Sequence, residues 1–310
     1  MTASSLPPPV LRRRVAVVAG GTRGAGRGIA RELGAAGATV YVTGRSTRQR
    51  ASPMNRPETI EETAELVSHA GGVGIPVRVD HTVVAEVAQL FDRVRQEQDG
   101  RLDLLVNDVW GGDPLTAFGT PFWKHSLADG LLMQELAVRT HMITSWHGAP
   151  LLVRAGAGLI VEVTDGDGLD YRGNLFYDLA KTSVIRLARS QAEDLRPHGI
   201  AAVAITPGFL RSEAMLEGFG VTEATWRDAV ARDPHFAASE TPTYIGRAVV
   251  ALASDPAVMW RTGTALSTWG LMHEYGFTDA DGSRPDWGRH ARENRLNYPA
   301  TDGDRGGTTG

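Results

Sequence analysis

The chain contains no cysteine. That absence excludes disulfides, thiolate catalysis and cysteine-ligated zinc or iron–sulfur sites, and it removes any need for an oxidising compartment. Lysine is nearly missing too: of 32 basic side chains only Lys124 and Lys181 are lysines, so a lysine here invites a reason. No run approaches the ~20 apolar residues that span a bilayer. The formal net charge of -4 offers no basic field for nucleic acid or an anionic membrane. The opening MTASSLPPPVLRRR has no apolar core of signal-peptide length; a cytoplasmic protein with residues 1–12 as a loose tail is expected. No HExxH or comparable cluster occurs, and His141 and His147 lie at poor spacing for a shared metal, so no metal is expected.

What the chain does have is rhythm. RVAVVAG, ATVYVTG, IPVRVD, LDLLVND, GLIVEVT and IAAVAIT are short apolar runs that read as buried strands. Helix-spaced stretches separate them, among them ETIEETAELVSHAG and the long LMQELAVRTHMITSWHGAPLLV, and a last strand is expected near GTALSTW. Strands alternating with helices imply right-handed crossovers and one parallel sheet covered on both faces. The prediction is a doubly wound α/β domain over residues 13–270. Residues 209–241 form an excursion, residues 271–310 a Gly- and Asp-rich extension, and the closing TDGDRGGTTG is expected to be disordered.

Between the first strand and the first helix lies AGGTRGAGRGIA, with Gly20, Gly24 and Gly26. In such a turn one glycine permits the reversal, the next lets the backbone approach a pyrophosphate, and the third lets helix and strand pack closely. The helix N-terminus then offers N–H groups to the phosphates. After the second strand, a chain selecting NAD(H) would place an Asp or Glu on the ribose 2′-hydroxyl; this one has Gly44 and Arg45. Arg45, with Arg23 in the turn itself, suits a 2′-phosphate through charge-assisted contacts. NADP(H) is therefore favoured over NAD(H).

These residues resemble the short-chain dehydrogenase/reductase family. AGGTRGAG is similar to its TGxxxGxG motif, VNDVWGG to NNAG, YDLAK to YxxxK, and PGFLRS to the PG segment after the sixth strand; HEYGFTDADGSRP resembles the tails of some members. The resemblance covers almost the whole core, and the order of the motifs makes it specific. It implies a Rossmann-type three-layer sandwich, a nicotinamide cofactor, carbonyl or alcohol substrates, and a homodimer or homotetramer. It further implies that the cofactor is held by Gly20, Thr22, Arg23, Gly24, Gly26 and Arg45, by Asp80 at the adenine and Asn107 at the ribose. Tyr177, Lys181, Pro207 and Gly208 complete that set.

A tyrosine's ordinary pKa of about 10 needs lowering before it acts as a base near neutrality. Lys181, four residues after Tyr177 and hence on the same helix face, favours tyrosinate. The family's usual serine is missing from VEVTDGDGLDYRGNLFY. Its place falls to Asp165 when the strand is aligned or to Thr164 when counted back from Tyr177, and adjacent strand residues point to opposite faces, so one of them enters the site. The family's supporting asparagine is replaced by Ala137. The expected function is carbonyl–alcohol interconversion on a hydrophobic small molecule, catalysed by Tyr177 and Lys181 with Asp165 or Thr164. The alternative is a nucleotide-binding relative with little or no turnover. Trp110, Trp123 and Trp146 are candidate pocket aromatics, and Phe209, Met215, Leu216, Phe219 and Trp226 are expected to cover an apolar substrate.

Overall fold

A computed structural model describes residues 10–51, 54 and 56–296; the expected N-terminal tail up to residue 9 and the expected disorder of 301–310 lie outside them. Seven strands form one parallel sheet in the order β3-β2-β1-β4-β5-β6-β7. They are β1 (Val15–Ala19), β2 (Thr39–Gly44), β3 (Val73–Arg78), β4 (Leu104–Asn107), β5 (Gly158–Val163), β6 (Ile200–Thr206) and β7 (Ala265–Ser267). The strand order reverses beside β1, where open α/β sheets bind ligands at the strands' C-terminal ends. The architecture is the doubly wound parallel sheet that the alternation predicts, and the Rossmann-type three-layer sandwich that the resemblance implies. β1 and β6 are buried along their whole length, which is why these strands read as continuous apolar runs without polar alternation.

The helices lie on both faces. On one, α1 (Gly24–Ala35), α2 (Ile60–His69) and α8 (Pro242–Ser254) cover a core that includes Ile29, Leu33, Val40, Val161 and Ile245. On the other, α3 (Val84–Glu97), α5 (Thr140–Ala155) and α6 (Leu175–Leu195) cover Val17, Phe91, Leu105 and Ile160. Gly28 sits where α1 crosses α8: a Cβ there would lie 2.0 Å from the Pro242 carbonyl oxygen. The crossing therefore requires glycine.

The stretch predicted as one long helix is two. α4 (Leu127–Gln134) runs into a π-helical turn, Glu135–Arg139, before α5 begins. Such a turn inserts an extra residue and reorients the helix beyond it, and hydrophobic spacing alone does not register it. The excursion after β6 holds α7 (Glu213–Phe219) and short 3-10 turns. Its apolar side chains pack chiefly on one another around Trp226 and Phe236. The chain closes through α9 (Thr268–Tyr275) and α10 (Trp287–Glu293).

Candidate active site

A cavity of about 800 Å³ lies over the C-terminal ends of the strands. At its floor the glycine turn presses on the end of β4. Gly20 has φ +86°, and a Cβ on it would meet the Asp108 carbonyl oxygen at 2.3 Å; one on Gly26 would meet the Gly20 carbonyl oxygen at 2.4 Å. No other residue fits at either position without moving backbone. The first turn of α1 already has acidic company. The Gly24 N–H donates to Glu213 Oε2 of α7 at 2.8 Å, and the Gly26 N–H donates to Asp108 Oδ2 at 2.5 Å. Burial drives the Asp108 carboxyl up to about 7, against the opposing pull of Lys181 and the Gly26 N–H.

At the far end stand Arg23, Arg45, Ser46 and Asp80. Arg45 lies 3.8 Å from Asp80. Arg23 donates to Ser46 Oγ at 3.4 Å and lies 3.6 Å from Glu58. A Cβ at Gly44 would sit 2.4 Å from Thr22 Oγ1, so a carboxylate side chain has no room there. Asp80 accepts from the N–H and the hydroxyl of Thr82, which holds the start of the loop to α3 and keeps Asp80 at the cavity wall. Although burial pushes the Asp80 carboxyl up, the bonds from Thr82 and the nearby Arg45 outweigh it and leave the group below its ordinary range. Pro207 and Gly208 form part of the opposite wall. The cradle, the free length of the cavity and the basic end suit a dinucleotide.

Asn107 does not reach the cavity. It is fully buried and donates to Ser145 Oγ at 2.8 Å and to Glu162 Oε1 at 2.9 Å; strand alternation turns it under the sheet and brings its neighbour Asp108 to the wall instead. Glu162, also fully buried, further accepts from Gln191 at 2.8 Å and bonds His141 Nδ1 at 2.7 Å. The other nitrogen of His141 faces the Val109 carbonyl at 3.1 Å. Among the described residues no group of three or more His, Asp or Glu side chains is placed to hold a metal ion.

The other end of the cavity is lined by Thr164, Asp165, Tyr177 and Lys181, the residues expected to move the proton. Asn174 caps α6 by accepting from the Tyr177 N–H at 3.0 Å, which fixes the first turn and with it the tyrosine. The Tyr177 hydroxyl donates to Asp165 Oδ2 at 2.7 Å. Thr164 does otherwise: its hydroxyl donates to the Lys181 backbone carbonyl at 2.8 Å and so ties β5 to α6. Of the two residues left open by sequence, Asp165 is the one whose side chain meets Tyr177. The Lys181 ammonium lies 3.9 Å above the Trp110 ring and 5.5 Å from the centre of the Tyr177 ring. Burial pulls Lys181 below its ordinary pKa, while Asp165, Asp108 and Asp113 act in the opposite sense.

Aromatic rings surround this end. Trp110 and Phe118 stand edge-on to Tyr177 at 5.4 and 5.5 Å, and Trp110 Nε1 donates to Asp113 at 2.6 Å. Trp123 and Trp146 are instead 70% and 74% exposed and do not line the cavity. Of the apolar residues in the excursion, Phe209 and Met215 reach it; Leu216, Phe219 and Trp226 do not. Ala137 is buried in the π-helical turn against Met133 and Ala180. Arg172, largely covered, escaped the sequence reading. Arg172 donates to the Asp165 carbonyl at 2.5 Å, the Gly168 carbonyl at 2.7 Å, Asp178 at 2.9 Å and Thr182 at 3.2 Å. It pins the loop bearing Asp165 to the helix bearing Tyr177. Its only signal was an arginine inside a Gly- and Asp-rich loop directly before YDLAK.

A family model described as "Enoyl-(Acyl carrier protein) reductase" matches residues 19–268. The chain is 37% identical over 276 residues to "Dehydrogenase/reductase SDR family member 1" of Mus musculus, across 88% of this chain and 85% of that one. The Homo sapiens protein of the same name is 36% identical over 273 residues, with 87% and 84% covered. A short chain dehydrogenase from Mycobacterium thermoresistibile has a similar structure, with TM-score 0.74 and 25% identity over 90% of this chain and 92% of that one. For a hydroxysteroid dehydrogenase from Escherichia coli the TM-score is 0.67 and the identity 25%, with 84% and 98% covered.

Proposed function

The chain belongs to the short-chain dehydrogenase/reductase family of oxidoreductases, and on that premise we propose that it is an NADP(H)-dependent enzyme interconverting a carbonyl and an alcohol on a hydrophobic small molecule, with Tyr177 as the acid/base. The observation that carries this reading is the Tyr177 hydroxyl, held at 2.7 Å by Asp165 at the aromatic end of the same cavity that the glycine turn floors.

A bound nicotinamide cofactor supplies or accepts the hydride; the protein's task is the proton. Lys181 favours tyrosinate through its charge, whereas Asp165, by accepting the hydroxyl proton's hydrogen bond, favours the neutral phenol. The hydrogen bond to Asp165 holds the proton on Tyr177 at rest, so that Tyr177 has a proton to give in the reductive direction. Trp110, Phe118, Phe209 and Met215 exclude water from that step and match an apolar substrate.

Support for NADP(H) comes from Arg23 and Arg45 at the far end of the cavity, together with the lack of room for a carboxylate at Gly44. Gly20, Thr22, Gly24 and Gly26 serve the phosphates, and Asp80 the adenine end. We further propose that residues 13–270 form the catalytic domain, that the protein works in the cytoplasm, and that it assembles as a homodimer or homotetramer. Exposed Trp146 on α5 and Leu179 on α6 (74% and 50%) are apolar surface suited to such contacts.

The test is a fluorescence titration with NADPH and NADH, followed by a panel of ketones and aldehydes read by loss of NADPH absorbance. Tighter NADPH binding and turnover abolished by Tyr177→Phe are expected. Equal affinity for the two cofactors refutes the NADP(H) assignment, and turnover unaffected by Tyr177→Phe refutes the role of the tyrosine.

A further inference from the structure

The residue beside Tyr177 is a carboxylate where a carbonyl-reducing site calls for a hydroxyl. A hydroxyl both donates and accepts, so it can bond a carbonyl oxygen; an ionised carboxylate only accepts. Asp165 therefore cannot bond a carbonyl oxygen unless it is itself protonated, and when ionised it opposes the negative charge that builds on that oxygen during reduction. A nitrogen bearing a proton and a positive charge meets the reverse situation. It can donate to the carboxylate, and its charge is attracted.

The surroundings favour a cation as well. The carboxylates of Asp165, Asp108 and Asp113 act on Lys181 against the positive charge of Arg172, and Asp165 is the one that meets the Tyr177 hydroxyl. Trp110 and Phe118 stand around the Tyr177 ring, and aromatic faces attract cations once water is excluded. The Trp110 face already carries one, the Lys181 ammonium at 3.9 Å. A carboxylate together with aromatic walls is a chemistry for recognising ammonium and iminium ions.

We propose that this site also takes the nitrogen counterpart of a ketone and its alcohol: a hydrophobic iminium ion and the amine it is reduced to, with the charged nitrogen held by Asp165 at the aromatic end of the cavity. This rests on the reading of Tyr177 and Lys181 as the proton-transfer pair of an oxidoreductase. In the reductive direction the substrate carbon gains a hydride from a reduced nicotinamide dinucleotide and forms its new C–H bond, while the π pair of the C=N bond moves to nitrogen. An iminium ion thereby becomes the neutral amine without further proton transfer. A neutral imine takes one proton from the Tyr177 hydroxyl, which solvent restores.

The proposal is tested by calorimetric binding of tetrahydroisoquinoline, an ammonium ion at neutral pH, against its neutral oxygen isostere isochroman. Dihydroisoquinoline and tetralone are compared in parallel as substrates for NADPH oxidation. The amine is expected to bind at least about tenfold more tightly than isochroman, and Asp165→Asn should reduce that preference to about twofold or less. Asp113→Asn, altered at an exposed position, should lower it by a smaller factor and serves where Asp165→Asn does not fold. Equal binding of amine and isostere, or a preference untouched by both substitutions, overturns the proposal. Tetralone reduced in a Tyr177-dependent way without amine preference overturns it while leaving the oxidoreductase reading intact. Amine binding lost in Asp165→Asn but accompanied by no turnover of either substrate upholds the recognition and overturns the oxidoreductase reading instead.

Discussion

Glu213 stands where an anionic cofactor is expected to bind, and replacing it with glutamine should tighten NADPH binding. Its Oε2 accepts from the Gly24 N–H at 2.8 Å, and its other oxygen lies 3.8 Å from Arg27. A phosphate group seeking the first turn of α1 competes for the same N–H and the same positive helix end. The bond to a charged acceptor contributes about 1.5 kcal/mol net, and the interaction with the helix end adds about 0.5 kcal/mol at a partly exposed position. The pair with Arg27 adds little at that separation. Losing the charge removes part of the bond and nearly all of the charge–dipole contribution, about 1–1.5 kcal/mol together, which corresponds to roughly a tenfold fall in the NADPH dissociation constant. Fluorescence titration of wild type and Glu213→Gln at low ionic strength reads this directly, and the difference should shrink as salt is raised. Unchanged or weaker binding by a folded Glu213→Gln protein refutes the reasoning, because it means that the carboxylate and the cofactor do not compete.

Four further outcomes are expected. Tyr177→Phe should lower kcat by about 10²–10⁴-fold with little change in the NADPH dissociation constant, measured by steady-state kinetics and titration. Arg172→Ala should lower kcat more than it raises KM, since it frees the loop carrying Asp165; loss confined to KM would show that the arginine does not position the carboxylate. Gly26→Ala should prevent NADPH binding or folding, because its Cβ would lie 2.4 Å from the Gly20 carbonyl oxygen; a folded variant that binds NADPH normally would contradict the packing described. Stability should fall as pH rises, for the following reason. Burial raises Glu240 from its ordinary 4.5 to about 8. Between those two values the folded protein holds a proton that the unfolded chain has released, so folding weakens through that window and is least affected below it. Urea unfolding at pH 5 and pH 8 should differ by on the order of 1–3 kcal/mol from this group, and Glu240→Gln should flatten the difference.

Much of this was legible in the sequence, and for identifiable reasons. The strands of a doubly wound sheet are buried on both faces, so β1, β2, β5 and β6 announce themselves as apolar runs ended by glycine or polar turns. The Gly20–Gly26 turn and the Tyr177–Lys181 spacing are local, and local patterns survive reading in one dimension. The choice between Thr164 and Asp165 was not local. Both follow the last residue of β5, and it takes the path of the loop, fixed by Arg172 from below, to decide which side chain meets Tyr177. The same holds for Asn107 and Asp108, where the motif names the pair but alternation at the end of β4 sends only the second to the cavity. Glu213 was illegible because its contact spans 189 residues, and the π-helical turn because it alters the helix register without interrupting its apolar spacing.

The buried knot around Glu162 bears on how this protein can change. One carboxylate on the central strand β5 meets groups from β4, α5 and α6 through Asn107, Ser145, His141 and Gln191. Removing Glu162 alone strands several polar groups at once, and each buried orphan costs about 1–3 kcal/mol. Single steps away from this arrangement are closed, whereas replacing all its members together by apolar residues is open. The knot is therefore a ratchet in sequence space: substrate preference can drift by single changes in the excursion over the cavity, while the floor beneath it is inherited as a block.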